Sequence, residues 1–373
     1  MFNPINSSQD RVYDVPIAHH LGMKPHNECS SCSAENGKRW YRERLFIVSI
    51  FVFGLLFLSY FLPILQPFFE AFMEYLQLIW LAVLVGFLAG GIIDYFVPSK
   101  YIEKYLSRHR KRTIVYSIIF GFLMSACSHG ILAIAIELYR KGANTSSVIA
   151  FLLASPWANL PITILLFGFF GVKAFFIVLS ALIIAFVTGL IYQRLEYMGM
   201  VECDKCAHGE DKPVLTDFSI IQDIKARLRE YSFSRKSVLE SLRGVLSGSW
   251  LLSKMILWWL LIGILMAAFA RAYVPKHLFV TYMGASLMGL LITLLFATII
   301  EVCSEGTSPL AFEIFNQTGA FGNSFIFLMA GVATDYTEIG LIWSNIGKKA
   351  AIWLPIITVP QILLLGYIFN IFL

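Results

Sequence analysis

The sequence predicts an all-α polytopic membrane protein with two inverted repeats. Each repeat has three membrane helices and one broken helix or re-entrant hairpin, and one extra N-terminal membrane helix precedes them. Three observations lead to this fold class. Of the 373 residues, 58% are hydrophobic and only 14% are charged, whereas about a quarter are charged in a soluble domain. Apolar stretches long enough to cross a bilayer recur along the chain, and two of them contain matching polar interruptions.

The composition also excludes several function classes. A net charge of +5 is too small for a nucleic-acid-binding surface, so we expect no nucleic-acid partner. No Walker A motif and no G-x-G-x-x-G motif occurs, which argues against ATP-driven transport by this chain alone. The six cysteines do not resemble a disulfide framework. We therefore expect a membrane protein surrounded by lipid, neither an enzyme nor dependent on a cofactor.

Hydropathy divides the chain into five segments. Residues 1–44 form a polar cytoplasmic tail, and 45–66 contain the extra membrane helix. Residues 67–194 and 249–373 are the two repeats, separated by a loop at 195–248 whose part 217–247 has the spacing of an amphipathic surface helix. The membrane helices are predicted at 45–62, 71–96, 146–168, 171–193, 250–272, 322–342 and 350–373.

The two interrupted stretches, 113–139 and 278–315, define the repeat. When the sequence is displaced by 176 residues, Cys127, Ser128 and Gly130 fall on Cys303, Ser304 and Gly306. Glu137 likewise falls on Glu313, and positions 127–159 contain 8 identities in 33 positions. Apolar sequence produces chance matches of Leu, Phe and Ala, but not readily a matched Cys-Ser-x-Gly. We interpret this as an internal repeat of the kind found in transporters.

Lysine and arginine counts favour re-entrant hairpins at both interruptions. With hairpins and a cytoplasmic N-terminus, 23 basic residues lie in inner segments and 3 in outer ones, against 15 and 11 if both stretches span fully. Basic residues accumulate on the cytoplasmic side. Each repeat then crosses the membrane three times, so the two repeats are expected to be inverted.

The two interruptions combine residues that bind soft ions. Cys127, Ser128 and His129 occur at the first, and Cys303, Ser304 and Glu305 at the second. Thiolate and imidazole suit ions such as Zn²⁺ and Cu⁺, and two thiols also suit a trivalent arsenical. We expect helices to start after Gly130 and Gly306, so that their N-terminal N–H groups point at the substrate. The alternative is that the cysteines are small hydrophobic residues.

Acidic and amide residues inside apolar stretches are candidates for coupling substrate movement to protons. These are Glu301, Asn159, Asp335, Glu137 and Glu313. A buried charge in a bilayer is costly, so it usually faces a cavity or a partner. Glu137 and Glu313 lie 10 residues beyond their cysteines, about 15 Å of helix, where solvation near a membrane face is the alternative. Pro156 is expected to bend the helix before Asn159.

The remaining cysteines form two C-x-x-C pairs, Cys29 with Cys32 and Cys203 with Cys206. Each pair supplies half of a tetrahedral zinc site. In the hairpin topology both pairs are cytoplasmic, so together they could bind one Zn²⁺. Unliganded cysteines in a flexible tail are the alternative.

Residues 127–143 and 150–159 resemble the predicted permease family that includes organoarsenical efflux permeases of the ArsP type and copper or zinc exporters. That family has a Cys-Ser-Cys-Gly motif, an Arg-Lys-Gly-Ala turn and then an apolar helix with Pro and Asn. Here the matches are Cys127, the turn at 140–143, Pro156 and Asn159, with His129 replacing the second cysteine. The resemblance implies an inner-membrane exporter of a thiophilic metal, metalloid or organoarsenical, with Cys127 as a substrate ligand.

The function predicted from the sequence is a secondary-active efflux permease that works by alternating access. Its partner is a small inorganic or metalloid substrate, and a homodimer is compatible with the sequence. The alternatives are a metal-sensing or structural membrane protein that uses the C-x-x-C pairs, and a transporter of an unrelated small anion. A membrane enzyme with Cys127 as nucleophile and His129 as base is disfavoured, because residues two apart face different sides of a regular helix.

Overall fold

The structure, a computed structural model, describes residues 44–96, 111–124, 128–140, 143–202, 235–300 and 304–373. Within these residues the regular secondary structure is helical, which confirms the predicted all-helical class. The α-helices are α1 (Arg44–Phe61), α2 (Gln66–Phe96), α3 (Lys111–Leu123), α4 (Ser128–Arg140), α5 (Thr145–Ala158), α6 (Leu160–Phe170), α7 (Ala174–Tyr197), α8 (Arg235–Tyr273), α9 (Lys276–Met283), α10 (Leu287–Ile300), α11 (Ser304–Thr318), α12 (Phe321–Thr334), α13 (Tyr336–Asn345) and α14 (Lys348–Phe372).

Six helical segments of the described residues are long and apolar enough to cross a membrane. A seventh results if α9 and α10, which are bent by 106° to one another, count as one span. The side chains that these helices expose are largely apolar, as a lipid-facing surface requires. The spans are Arg44–Phe61, Pro63–Ile93, Leu160–Tyr197, Ser241–Tyr273, Phe321–Asn345 and Lys348–Phe372.

The helix bounds follow the displacement of 176 residues found in the sequence. Displaced by that number, α5 falls on 321–334, the bounds of α12, and α4 falls on 304–316, inside α11. The helices α3, α6 and α7 fall within two residues of α10, α13 and α14, and α2 falls inside α8. Two segments with little sequence identity therefore fold into the same order of helices.

The N-termini of α5 and α12 are capped in equivalent ways. The Ser146 backbone N–H donates to Glu196 Oε1 at 3.0 Å, and the Gly322 N–H donates to Asn370 Oδ1 at 2.7 Å. Ser146 and Gly322 are equivalent in the repeat, and each acceptor lies near the end of the last helix of its own repeat. Each repeat thus satisfies a helix terminus that would otherwise leave donors unpaired.

Several predicted boundaries differ from the structure. The span predicted at 146–168 is two helices that meet at Asn159. The span predicted at 322–342 corresponds to the candidate span Phe321–Asn345, which consists of two helices that meet at Asp335. The stretch 278–315 contains parts of three helices, α9 to α11, where one interruption was predicted. The helix α8 begins at Arg235, so 235–248 of the predicted loop is the first part of a 39-residue helix.

The two repeats pack mainly through α2 and α8, the most extensive helix contact of the described residues. Gly91 on α2 permits this close approach, because a Cβ there would lie 2.1 Å from Ser249 Oγ on α8. The helix α1 packs against α8 and α2 and exposes most of its side chains.

Glu202 ties the end of the first repeat to the start of α14. Its Oε1 accepts from the Lys349 N–H at 2.9 Å and its Oε2 from the Ala350 N–H at 3.1 Å. Desolvation alone would raise the pKa of Glu202, but these backbone hydrogen bonds and the charge of Lys349 outweigh it and lower the pKa below its ordinary value. A Cβ on Gly347 would lie 2.4 Å from Glu202 Oε2, so a side chain at this position would displace the carboxylate from these hydrogen bonds.

Candidate functional site

The first element of the site is the interruption at Asn159 between α5 and α6. Asn159 has extended backbone angles, φ −64° and ψ 155°. Its Oδ1 accepts a hydrogen bond from the Ile162 N–H at 2.9 Å, so it caps the N-terminus of α6. The residue is buried. Pro156, which was expected to bend the helix before Asn159, lies within α5, three residues before the interruption.

The second element is the equivalent interruption at Asp335 between α12 and α13. Asp335 Oδ1 accepts from the Thr337 N–H and from Thr337 Oγ1, each at 2.7 Å. The carboxylate caps α13 as the amide of Asn159 caps α6. Because Asn159 and Asp335 correspond in the repeat, each repeat has one capped helix interruption between apolar helices.

The third element is Glu305, in the first turn of α11. Its side chain is 2% exposed and lines a cavity of about 20 Å³ together with Pro161 and Ile162 of α6. The cavity also touches α2 and α8, and it is large enough for one water molecule. Glu305, which belongs to the second motif, therefore lies beside the helix interruption of the other repeat.

Gly306 serves a helix contact in this structure. The helices α4 and α11 begin at Ser128 and Ser304, so Gly130 and Gly306 lie inside the first turns and do not precede them as expected. A Cβ on Gly263 of α8 would lie 1.9 Å from the Gly306 carbonyl oxygen. Gly263 therefore allows α8 and α11 to approach closely, whereas a Cβ on Gly306 would lie 3.1 Å from the Trp259 carbonyl oxygen and would need only a small shift.

Glu313 lies further along α11 than Glu305 and is fully buried. It accepts hydrogen bonds from the Tyr75 hydroxyl of α2 and from Gln317 Nε2. Arg271 of α8 lies 5.7 Å from the Tyr75 ring centre and pairs with Glu74 at 2.7 Å. Glu137, the residue equivalent to Glu313 in the first repeat, is exposed. The two matched acids therefore occupy different environments, and the alternative of solvation near a membrane face does not apply to Glu313.

Other candidates from the sequence can be placed only in part. Ser128, His129 and Ser304 lie in the first turns of α4 and α11. Cys127, Glu301 and Cys303 lie outside the described residues, as do the C-x-x-C cysteines Cys29, Cys32, Cys203 and Cys206. Within the described parts of the chain, no three His, Cys, Asp or Glu side chains converge as a metal site would require.

Sequence reasoning missed two residues of this region. Glu338 is 1% exposed in the first turn of α13; an acid inside the apolar stretch 322–342 was the signal that could have found it. Tyr75 gave no signal, because 16 tyrosines occur in an aromatic-rich sequence, and only its contact with Glu313 distinguishes it.

The chain matches a known protein family. A family model described as "Predicted permease", ArsP_1, matches residues 64–371. The chain belongs to this family. The resemblance found in the sequence is thereby confirmed, and the match begins after α1, the helix that lies outside the repeats.

Relatives of ArsP_1 type occur in bacteria and archaea. The UPF0718 protein YcgR of Bacillus subtilis is 24% identical over 290 residues, 76% of this chain and 90% of the relative. The UPF0718 protein MJ0584 of Methanocaldococcus jannaschii is 23% identical over 344 residues, 79% and 92% of the two chains. A Streptococcus mutans protein named "Putative two-component membrane permease complex subunit" is 24% identical over 238 residues, 61% and 72%. No solved structure matches the chain.

Taken with the apolar helices, the family establishes a multi-pass membrane protein of permease type. The permease family favours a transporter over an enzyme. The interruptions at Asn159 and Asp335, with buried acids beside them, are the part of the molecule where a substrate could be bound.

Proposed function

We propose that the chain is a secondary-active exporter of a thiophilic metal ion, metalloid or organoarsenical. One observation supports this most: the two repeats place capped helix interruptions at equivalent positions, and Glu305 of one repeat lies against the interruption of the other. Interrupted helices that meet at a repeat interface are how many transporters bind substrates within the membrane.

Alternating access would follow from movement of one repeat against the other. The repeats contact one another through five helix pairs of the described residues: α2 packs on α8, α7 on α14, α6 on α11, α5 on α12 and α4 on α13. The inverted arrangement of the repeats, with a cytoplasmic N-terminus in the inner membrane, is part of the proposal and rests on the distribution of lysine and arginine. Labelling of Cys29 and Cys203 from the same face would support it, and labelling from opposite faces would refute it.

The substrate ligands in this proposal are the residues of the two motifs, Cys127, Ser128, His129, Cys303, Ser304 and Glu305. Glu305 is the member whose side chain the structure describes, and it is buried beside α6. Proton coupling is assigned to Glu301, Asp335, Glu137 and Glu313, with Asn159 as a positioning residue. The burial of Glu313 at a contact between α11 and α2 makes it the strongest candidate among these.

The test compares Cys127→Ala and Cys303→Ala with the parent in cells that lack their own metal and arsenical exporters. We expect each variant to lose resistance to at least one of Zn²⁺, Cu⁺, arsenite or a methylated arsenical while the protein level stays unchanged. Flux of the same compounds into inside-out vesicles gives the direct measurement. Full resistance in Cys127→Ala would remove the thiol from the mechanism.

Two further assignments are separate from the transport site. We propose that the C-x-x-C pairs together bind one Zn²⁺. A zinc-to-protein ratio near one in the purified chain would support this, provided that the ratio falls in a variant that combines Cys29→Ser and Cys203→Ser. We also propose a partner subunit, either a second copy or a different membrane protein, because one relative is named as a complex subunit. The molecular mass of the detergent-solubilised protein tests this.

A further inference from the structure

Glu338 is the starting point, because its burial is not explained by the roles assigned so far. It lies in the first turn of α13, three residues after Asp335, and 1% of it is exposed. The segment Phe321–Asn345 is one of the candidate membrane spans. A charged carboxylate within a membrane span is costly, so it normally faces a polar partner or a functional cavity.

The repeat gives Glu338 a defined counterpart. Displaced by 176 residues, Glu338 corresponds to Ile162 of α6, and Glu305 corresponds to His129 of α4. Ile162 and Glu305 line the same cavity. The contact between α6 and α11 that forms this cavity has an equivalent, the contact between α4 and α13. In that equivalent contact, Glu338 takes the place of Ile162, and the sequence puts His129 in the place of Glu305.

From this juxtaposition we propose that Glu338 and His129 form a second half-site, equivalent to the one that contains Glu305. The proposal deepens, and rests on, the transport function proposed above. Each half-site then contains one carboxylate, Glu305 in the first and Glu338 in the second, and the second has the imidazole of His129 where the first has the apolar Ile162. A carboxylate with an imidazole suits a divalent metal ion of the Zn²⁺ type, and a neutral organoarsenical would gain nothing from the charge.

A simpler reading makes Glu338 a structural helix cap. Glutamate at the third helical position after a capping aspartate can pair with the backbone N–H at the cap. Glutamine suits that position equally well, so Glu338→Gln removes the charge while retaining the capping ability. If the role of Glu338 is purely structural, Glu338→Gln should therefore change the Zn²⁺ affinity little.

The placement is tested by cross-linking in the full chain with its six native cysteines replaced by serine. His129→Cys and Glu338→Cys are combined, and a protease site is inserted within 207–234 so that a cross-link keeps the two halves together on a gel. Ile162→Cys with Glu305→Cys is the matched control, because the structure places this pair on one cavity. We expect both pairs to cross-link. A control pair that cross-links while the 129–338 pair does not would overturn the placement.

The cation assignment is tested by calorimetric titration of Zn²⁺ into the purified chain with Cys29, Cys32, Cys203 and Cys206 replaced by serine. We expect Glu338→Gln to weaken Zn²⁺ binding at least tenfold, as losses around metal sites do. Glu70→Gln, an exposed acid on α2, should leave it unchanged. Equal affinity in Glu338→Gln, or no binding by the parent, would overturn the assignment. Failure of transport alone would refute the proposed function and leave both of these results in place.

Discussion

The hydroxyl of Tyr75 on α2 donates a hydrogen bond to the buried carboxylate of Glu313 on α11. This bond joins the first repeat to the second inside the protein, where neither side chain can exchange its partner for water. An unsatisfied buried group is expensive, and more so when it is charged. The bond therefore stabilises one arrangement of the two repeats, and an exporter that alternates between two arrangements has to break or rebuild such contacts.

Tyr75→Phe should destabilise the protein, because the carboxylate keeps its burial and loses a donor. We expect a loss of about 1–3 kcal/mol, measured as a lower midpoint of thermal unfolding in detergent. Tyr197→Phe is the matched control, since Tyr197 is 85% exposed and should leave the midpoint unchanged. Equal midpoints for Tyr75→Phe and the parent would show that this hydrogen bond does not hold the repeats together.

Glu313→Gln should separate proton coupling from substrate movement. Glutamine retains the volume and an acceptor for Tyr75 but cannot take up and release a proton. In proteoliposomes we expect exchange of radiolabelled substrate across equal concentrations to persist, while accumulation driven by a pH gradient is lost. Retention of gradient-driven accumulation would assign the coupling proton to another group, with Asp335 the next to test.

The all-helical class and most membrane helices could be predicted from the sequence, because hydropathy depends on local residues alone. The sequence failed at Asn159 and Asp335, where apolar residues on both sides hide a helix end that only the side-chain caps reveal. Gly306 was predicted to precede its helix, but it lies inside the first turn of α11. Tyr75 and Glu338 depend on contacts between distant segments, which no local pattern contains.

Gly263→Ala tests the close approach of α8 and α11. The added Cβ would lie 1.9 Å from the Gly306 carbonyl oxygen, which is backbone and cannot turn away. The helices must then separate, at a cost of about 1–3 kcal/mol for overpacking, and Glu305 would move from α6. Gly54→Ala is the matched control, because nothing lies within 4 Å of the added Cβ. We expect only Gly263→Ala to lower the unfolding midpoint and the transport rate.

Glu202→Gln tests the tie between the end of the first repeat and α14, and its effect should depend on pH. The hydrogen bonds from Lys349 and Ala350 and the charge of Lys349 outweigh desolvation and lower the pKa of Glu202. A carboxyl whose folded pKa lies below its unfolded value of about 4.3 stabilises the fold fully above that value, and this contribution disappears as the pH falls through the folded pKa.

At pH 7 we expect Glu202→Gln to lower the free energy of unfolding by about 1 kcal/mol, as for a removed helix cap. The difference between Glu202→Gln and the parent should shrink below about pH 4, as followed by thermal unfolding at pH 7 and at lower pH. Glu70→Gln, exposed on α2, serves as the control, and a difference that grows on acidification would contradict the proposed cap.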